Sequence, residues 1–123
     1  MLRNCTIANN HSIAKDQIAG AIFGAGLSLK NTIVAGNTAM WVPGCNETHV
    51  DEGGNFQWPD GALCTDAISV ADPSLGPLAD NGGPTETMMP NAGSVVRGAG
   101  GACPEVDQLG NARSEPCTAG AVE

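Results

Sequence analysis

The densest group of ionisable side chains in the chain is Glu47, His49, Asp51 and Glu52. Four such residues within six positions could do two kinds of chemistry. Carboxylate oxygens could ligate calcium, or a carboxylate and an imidazole could trade a proton as an acid/base pair. The spacing matches no D-x-D-x-D-G calcium loop and flanks the Gly53-Gly54 turn, so the reading favoured here is a solvated loop. Asp80-Asn81-Gly82-Gly83 invites the same calcium question. It reads instead as a tight turn, because Asn and Gly supply positive φ. No G-x-S-x-G, Cys/His pair or H-E-x-x-H occurs. Thirteen acids make a glycosidase-like pair of carboxylates possible anywhere, so their number argues for nothing. The sequence thus predicts no catalytic residue and no cofactor, with calcium as the weaker alternative.

Such side chains must be held by some framework, and the sequence describes one. Leu2-Arg3-Asn4-Cys5-Thr6-Ile7-Ala8-Asn9-Asn10 returns as Leu29-Lys30-Asn31-Thr32-Ile33-Val34-Ala35-Gly36-Asn37, 27 residues later. Leu, a basic residue, Asn, an aliphatic residue, Ala and Asn recur in register. Repeats of this period signal stacked units that cannot bury their apolar faces alone. Short apolar bursts at Ile22-Phe23, Leu27, Leu29 and Ile33-Val34 alternate with Gly and Asn, which suits strands. A helix over residues 13–29 would carry Gly20, Gly24 and Gly26, each costing up to ~1 kcal/mol relative to Ala. The period fits one rung of a parallel β-helix, with rungs about 4.8 Å apart. Stacking then predicts Leu2 over Leu29, Ile7 over Val34, Asn4 over Asn31 and Asn10 over Asn37. The alternative is a chance match between two Asn-rich strands of a sandwich.

The expected fold is therefore all-β: one to two rungs over residues 1–39, then an irregular cap region over residues 40–123 packing on the last rung. Residues 40–80 break the repeat pattern, and the run from Trp41 to Gly54 reads as loop. Trp41 and Trp58 are expected as lids over that rung, with sugar stacking as the sharper alternative. Further strands are expected near 87–89, 94–96 and 119–122. Only 3% of residues are aromatic and none is Tyr. The core must therefore come from aliphatic layers.

Net charge is -8 and uneven. Residues 1–44 hold Arg3, Lys15 and Lys30 against Asp16; residues 45–123 hold Arg97 and Arg113 against twelve acids. So acidic a chain argues against nucleic-acid binding, which needs clustered cations. No apolar run is long enough to span a bilayer; the stretch 18–29 is too short and contains three Gly. Cysteines stand at 5, 45, 64, 103 and 117 without a C-x-x-C pair. Two disulfides and an oxidising compartment are the reading, rather than structural zinc. The chain begins inside a repeat with no leader peptide, which predicts a piece of a longer protein. Three sequons, at Asn4, Asn10 and Asn46, are read as incidental to the Asn repeat.

The repeat followed by Cys45, Cys64 and the stretch Asp72-Pro73-Ser74-Leu75-Gly76-Pro77-Leu78-Ala79-Asp80-Asn81-Gly82-Gly83-Pro84-Thr85 resembles the C-terminal region of bacterial choice-of-anchor Q domain proteins. These belong to the pectin-lyase-like, right-handed parallel β-helix group. The resemblance continues through Asp107-Gln108-Leu109-Gly110-Asn111-Ala112-Arg113 to Cys117-Thr118-Ala119-Gly120-Ala121-Val122-Glu123. It departs from the family pattern at Met88, Arg97, Leu109 and Thr118-Ala119. The resemblance implies a secreted or cell-surface protein, with no established catalytic residues to carry over. It also implies the disulfides Cys45–Cys64 and Cys103–Cys117, closing loops of about 20 and 15 residues worth ~3 kcal/mol each. Cys5 is left as a free thiol aligned with Thr32. The expected role is a non-enzymatic C-terminal cap, structural or adhesin-like, with polysaccharide or surface glycans as possible partners. The alternative is part of a β-helix polysaccharide lyase or glycoside hydrolase without its central rungs. An unpaired first rung predicts self-association.

Overall fold

The computed structural model of the chain describes every residue except Ala14, Asp16 and Gln17. Among the described residues there are eleven strands and no helix. On a first pass the chain forms β1 (Leu2–Arg3), β2 (Thr6–Ala8) and β3 (His11–Ser12). A second pass forms β4 (Ser28–Lys30), β5 (Ile33–Ala35) and β6 (Thr38–Ala39). A third forms β7 (Val50–Asp51) and β8 (Phe56–Trp58), and β9 (Ser69–Val70) follows. An antiparallel hairpin, β10 (Leu75–Ala79) with β11 (Thr87–Pro90), leads into an irregular tail.

The passes lie side by side as three parallel sheets, ordered β1-β4-β7, β2-β5-β8-β9 and β3-β6. Register follows the sequence repeat: Leu2 pairs with Leu29, Ile7 with Val34 and Ala8 with Ala35. The expected asparagine stacks are present. Asn31 Nδ2 donates to Asn4 Oδ1 at 3.3 Å, and Asn10 Nδ2 donates to Asn37 Oδ1 at 2.9 Å. Asn4 and Asn31 hold φ of 49° and 48°, the left-handed region Asn tolerates best after Gly. On the third pass the stack continues with Gly54, φ 69°, where a Cβ would lie 2.3 Å from Asn31 Oδ1. Only glycine leaves that space to the amide.

The parallel pairing runs past the expected limit. Val50 pairs with Ser28, Phe56 with Ile33 and Ser69 with Phe56, so the parallel sheets continue through residues 50–70 instead of ending at residue 39. The reason is that backbone register, unlike residue identity, survives a shortened pass. Phe56 keeps the bulk of Ile33, while Gln57 replaces Val34 and bonds Gly61 O at 2.8 Å and Cys64 N at 3.0 Å.

Strand β5 is buried along its whole length because it is covered on both faces. Val34 points into a cluster with Leu29, Ile22, Ile68 and the Cys45–Cys64 disulfide, with Leu2 and Ile7 packed against it. Ile33 and Ala35 point the other way, onto Phe56, Val96 and Ala119. Fully burying Leu29 and Ile33 stabilises by ~1.5–3 kcal/mol each. The second cluster shows where the tail goes. It lies along the outer flank of the β2-β5-β8 sheet and reaches the first pass, where Ala121 N donates to Thr6 Oγ1 at 3.0 Å. The expected cap on the last strand is in this respect a clasp on the side.

That clasp is irregular. Residues 94–96 and 119–122, expected as strands, have no strand partner. Their backbone donors go elsewhere: Ala119 N to Val96 O at 2.9 Å and Gly120 N to Asn31 O at 2.8 Å. Gly120, φ 95°, comes so close that a Cβ would sit 2.7 Å from Ile33 Cδ1. The strand expected near 87–89 is present as β11. The Asp80–Gly83 segment is a tight turn: Asp80 Oδ1 accepts from Gly82 N at 3.0 Å, and Asn81 Nδ2 donates to Thr87 O at 2.9 Å.

Candidate functional site

The segment before and through β7 separates the four ionisable side chains of the sequence cluster. Strand alternation turns Val50 outward and His49 inward, so His49 is buried while Glu47 and Glu52 are exposed. Asp51 is committed to structure. Its Oδ1 accepts from Gly53 N at 2.6 Å and Asn55 Nδ2 at 3.1 Å, and its Oδ2 accepts from Thr65 Oγ1. Those bonds fix the turn before Asn55 and tie it to the Cys64-Thr65 segment beneath. Asn55 completes the knot, with Nδ2 donating to Leu29 O at 2.8 Å and Oδ1 accepting from Thr32 N at 2.9 Å. Among the described residues, no three His, Cys, Asp or Glu side chains gather closely enough to hold a metal ion.

His49 is 7% exposed, and neither ring nitrogen has a hydrogen-bond partner. A general base needs its imidazole oriented by a partner on the second nitrogen. His49 has none, and its ring serves as filling with two unmet polar atoms. Leaving a buried polar group unpaired costs roughly 1–3 kcal/mol. His49→Leu is therefore expected to stabilise the protein by about 1 kcal/mol, read as a rise in the midpoint of thermal unfolding. A lower midpoint would mean that the ring nitrogens have partners in solution.

A second arrangement was not foreseen from the sequence. The Arg113 side chain is 3% exposed within the tail. Its guanidinium donates to Thr118 O at 3.0 Å, Gly120 O at 2.9 Å and Ala121 O at 2.9 Å. Burial pulls its pKa below the usual arginine value, and the nearby carboxylates Asp107 and Glu123 oppose that pull. Asp107 in turn accepts from Leu109 N and Asn111 N, both at 2.9 Å. The available signal was composition: Arg113 is one of two cations among the last 79 residues, against twelve acids.

The third arrangement is concave. Register places Ala8, Ala35 and Trp58 in one column across β2, β5 and β8. Two methyl groups followed by an indole make a step in the sheet surface. The β10-β11 hairpin stands over the low part of it. Two adjoining depressions result, of about 160 and 180 Å³, which share Ala8 and Met88. Trp58, 43% exposed, walls the first. The expectation of tryptophan lids is not met. Trp58 stands at this flank, and Trp41 is 69% exposed with its indole N–H donated to Lys15 O at 3.4 Å.

The disulfides implied by the resemblance are both present, Cys45–Cys64 and Cys103–Cys117, with Cα separations of 4.9 and 6.4 Å. Cys5 is a free thiol. No helix among the described residues is long and apolar enough to cross a membrane. Compared with protein-family models, curated proteins and solved structures, the chain matches none.

Proposed function

We propose that the chain is a non-enzymatic terminal region of a secreted or cell-surface parallel β-helix, of the kind it resembles in the choice-of-anchor Q proteins. The observation that carries this reading is the strand-for-strand register of successive passes, Leu2 on Leu29 and Ile7 on Val34, beside a tail that clasps their flank. Each sheet has its first-pass strand at one edge: β1, β2 and β3. The tail braces the stack laterally, with Ala121 N bonded to Thr6 Oγ1 on the first pass. Two disulfides fit an oxidising compartment. The acids of the sequence cluster anchor turns or face solvent, which favours a structural role over a lyase or hydrolase fragment.

Stacked repeats gain stability from each neighbour interface. A tandem copy of residues 2–28 placed before Leu2 supplies one more rung in the same register. It is expected to raise the unfolding midpoint and to resist proteolysis along its length. A lower midpoint, or an added copy that proteases remove, would contradict the β-helix reading. Turnover of pectate or another acidic polysaccharide by the chain would overturn its non-enzymatic part.

A further inference from the structure

We propose that the outer face of the β3-β6 sheet joins two copies of this chain as a twofold dimer. The chain holds four aromatic rings, and of these only Phe56 is buried in the core. Trp41 stays exposed, although its ring would bring more buried area than any aliphatic side chain. Its neighbours are exposed and apolar too. Strand β3 pairs with β6 as His11 with Thr38 and Ser12 with Ala39. Ile13 and Met40 follow one residue beyond. Farther on Ala19 bridges Val42, and Ile18 and Trp41 precede that bridge at matching positions. Bends at Met40 and Trp41 break the alternation that would turn one of the two inward. Among the described residues, β6 has no strand on its second side. The support beneath is tight: Gly20 N donates to Val42 O at 2.8 Å, and a Cβ on Gly20 would lie 2.6 Å from Pro43 O. A face held this way loses little freedom on docking.

Area and charge name the occupant. Ile13, Ile18, Met40 and Trp41 are 79%, 46%, 60% and 69% exposed. For side chains of about 150–250 Å² each, that leaves roughly 500 Å² of mostly apolar surface. Such a patch marks an interaction site on a small protein. Two of them facing each other bury about 1,000 Å² in total, the lower bound for a specific interface. Charge points to a second copy. The described residues among 1–44 carry no carboxylate, whereas residues 45–123 hold twelve acids. Contact through the third pass or the tail sets acid against acid; contact here keeps those acids out of the interface. Arg3, Lys15 and Lys30 are the only cations of the first two passes, fewer than the four to eight clustered cations that hold a protein to an anionic membrane. The same patch on both partners gives a contact that closes at two copies. It leaves the strands β1 and β2 free and does not depend on what precedes them.

The test is sedimentation velocity of the whole chain from low micromolar to millimolar concentration. A monomer–dimer equilibrium is expected, with a dissociation constant of about 10–100 μM for an interface of this size. Trp41→Ala removes the anchor, and Met40→Lys sets like charges across the twofold axis. Each is expected to weaken the dimer by about tenfold or more, with a melting curve showing the variant folded. Val106→Ser, an exposed apolar position in the tail, leaves the dimer unchanged. A monomer at every concentration, a ladder of species larger than the dimer, or a dimer that survives both Trp41→Ala and Met40→Lys overturns the proposal. So does flotation of the chain with phosphatidylcholine–phosphatidylglycerol vesicles that Trp41→Ala abolishes, since the face would then belong to a membrane. None of these outcomes bears on the β-helix reading, which the tandem-copy experiment addresses.

Discussion

Asn31→Ala is expected to destabilise the protein by about 2–5 kcal/mol, summing lost bonds and backbone strain. The residue is 1% exposed and joins three parts of the molecule. Its Nδ2 donates to Asn4 Oδ1 on the first pass and to Gly101 O at 3.0 Å in the tail, and its Oδ1 accepts from Gly101 N at 3.2 Å. Alanine leaves these buried groups unmet, at roughly 1–3 kcal/mol. It must also adopt φ near 48°, which costs a side chain with a Cβ roughly 1–2 kcal/mol. Asn31→Gly separates the two contributions: it loses the amide but accepts the backbone. The expected order of stability in urea is Asn, then Gly, then Ala, with the last two about 1 kcal/mol apart. Alanine equal to or better than glycine would contradict the left-handed stack. Since whole domains are stable by about 5–15 kcal/mol, Asn31→Ala should remove a large share of the total, read as a lower urea midpoint.

Arg113→Met should cost about as much, roughly 3–5 kcal/mol, the usual result of removing one side of a buried charged network. The guanidinium holds the carbonyls of Thr118, Gly120 and Ala121, the segment that covers Ile33 and Thr6. Without it Gly120 O loses its guanidinium donor, Ala121 O keeps only Gln108 N at 2.9 Å, and Thr118 O keeps only Asn4 Nδ2 at 3.5 Å. Asp107 and Glu123 lose the nearest cation. Glu123 lies 3.8 Å from Nη1, so the carbonyl bonds matter more than that ion pair. Arg113→Lys keeps the charge but not the planar fork. It should recover less than half of the loss. Full recovery by lysine would show that charge, rather than directed hydrogen bonds, holds the tail. Both variants should raise exposure of the flank before the inner cluster opens, seen as dye binding at sub-denaturing urea.

Leu2, Ile7, Asn4 and Asn10 could be placed from sequence because each meets a like residue 27 positions on. Identity and register coincide there. Later they part. Ser28 pairs with Val50 and Ile33 with Phe56, spacings of 22 and 23 residues, and Phe56 pairs with Ser69 after only 13. With Gln57 under Val34 and Trp58 under Ala35, no pattern of residue types marks the third pass. The disulfide pairing came with the resemblance. The side-on course of the tail was hidden for a different reason. Val96, Ala119 and Gly120 pack on the flank through irregular backbone, so neither alternation nor helical period betrays the face they cover.

The candidate site was legible in the same uneven way. The Glu47–Glu52 cluster, expected as a solvated loop, contains strand β7 and the buried His49, and Asp51's ties to Asn55 and Thr65 depend on neighbours 4 and 14 residues away. The low part of the step, at Ala8 and Ala35, was present in the repeat as two small residues. Its end at Trp58 could not be seen until the third pass was in register.

The most direct test of the account is amide hydrogen exchange resolved by residue. Clasp and stack share bonds, Gly120 N to Asn31 O and Ala121 N to Thr6 Oγ1, while Ile33 N to Cys5 O at 2.9 Å joins the first two passes. They should therefore open together. The account predicts that the amides of Ile33, Phe56, Ala119 and Gly120 exchange with one common protection factor, and that Asn31→Ala lowers all four by the same amount. Fast exchange at Ala119 and Gly120 beside slow exchange at Ile33 and Phe56 would contradict it.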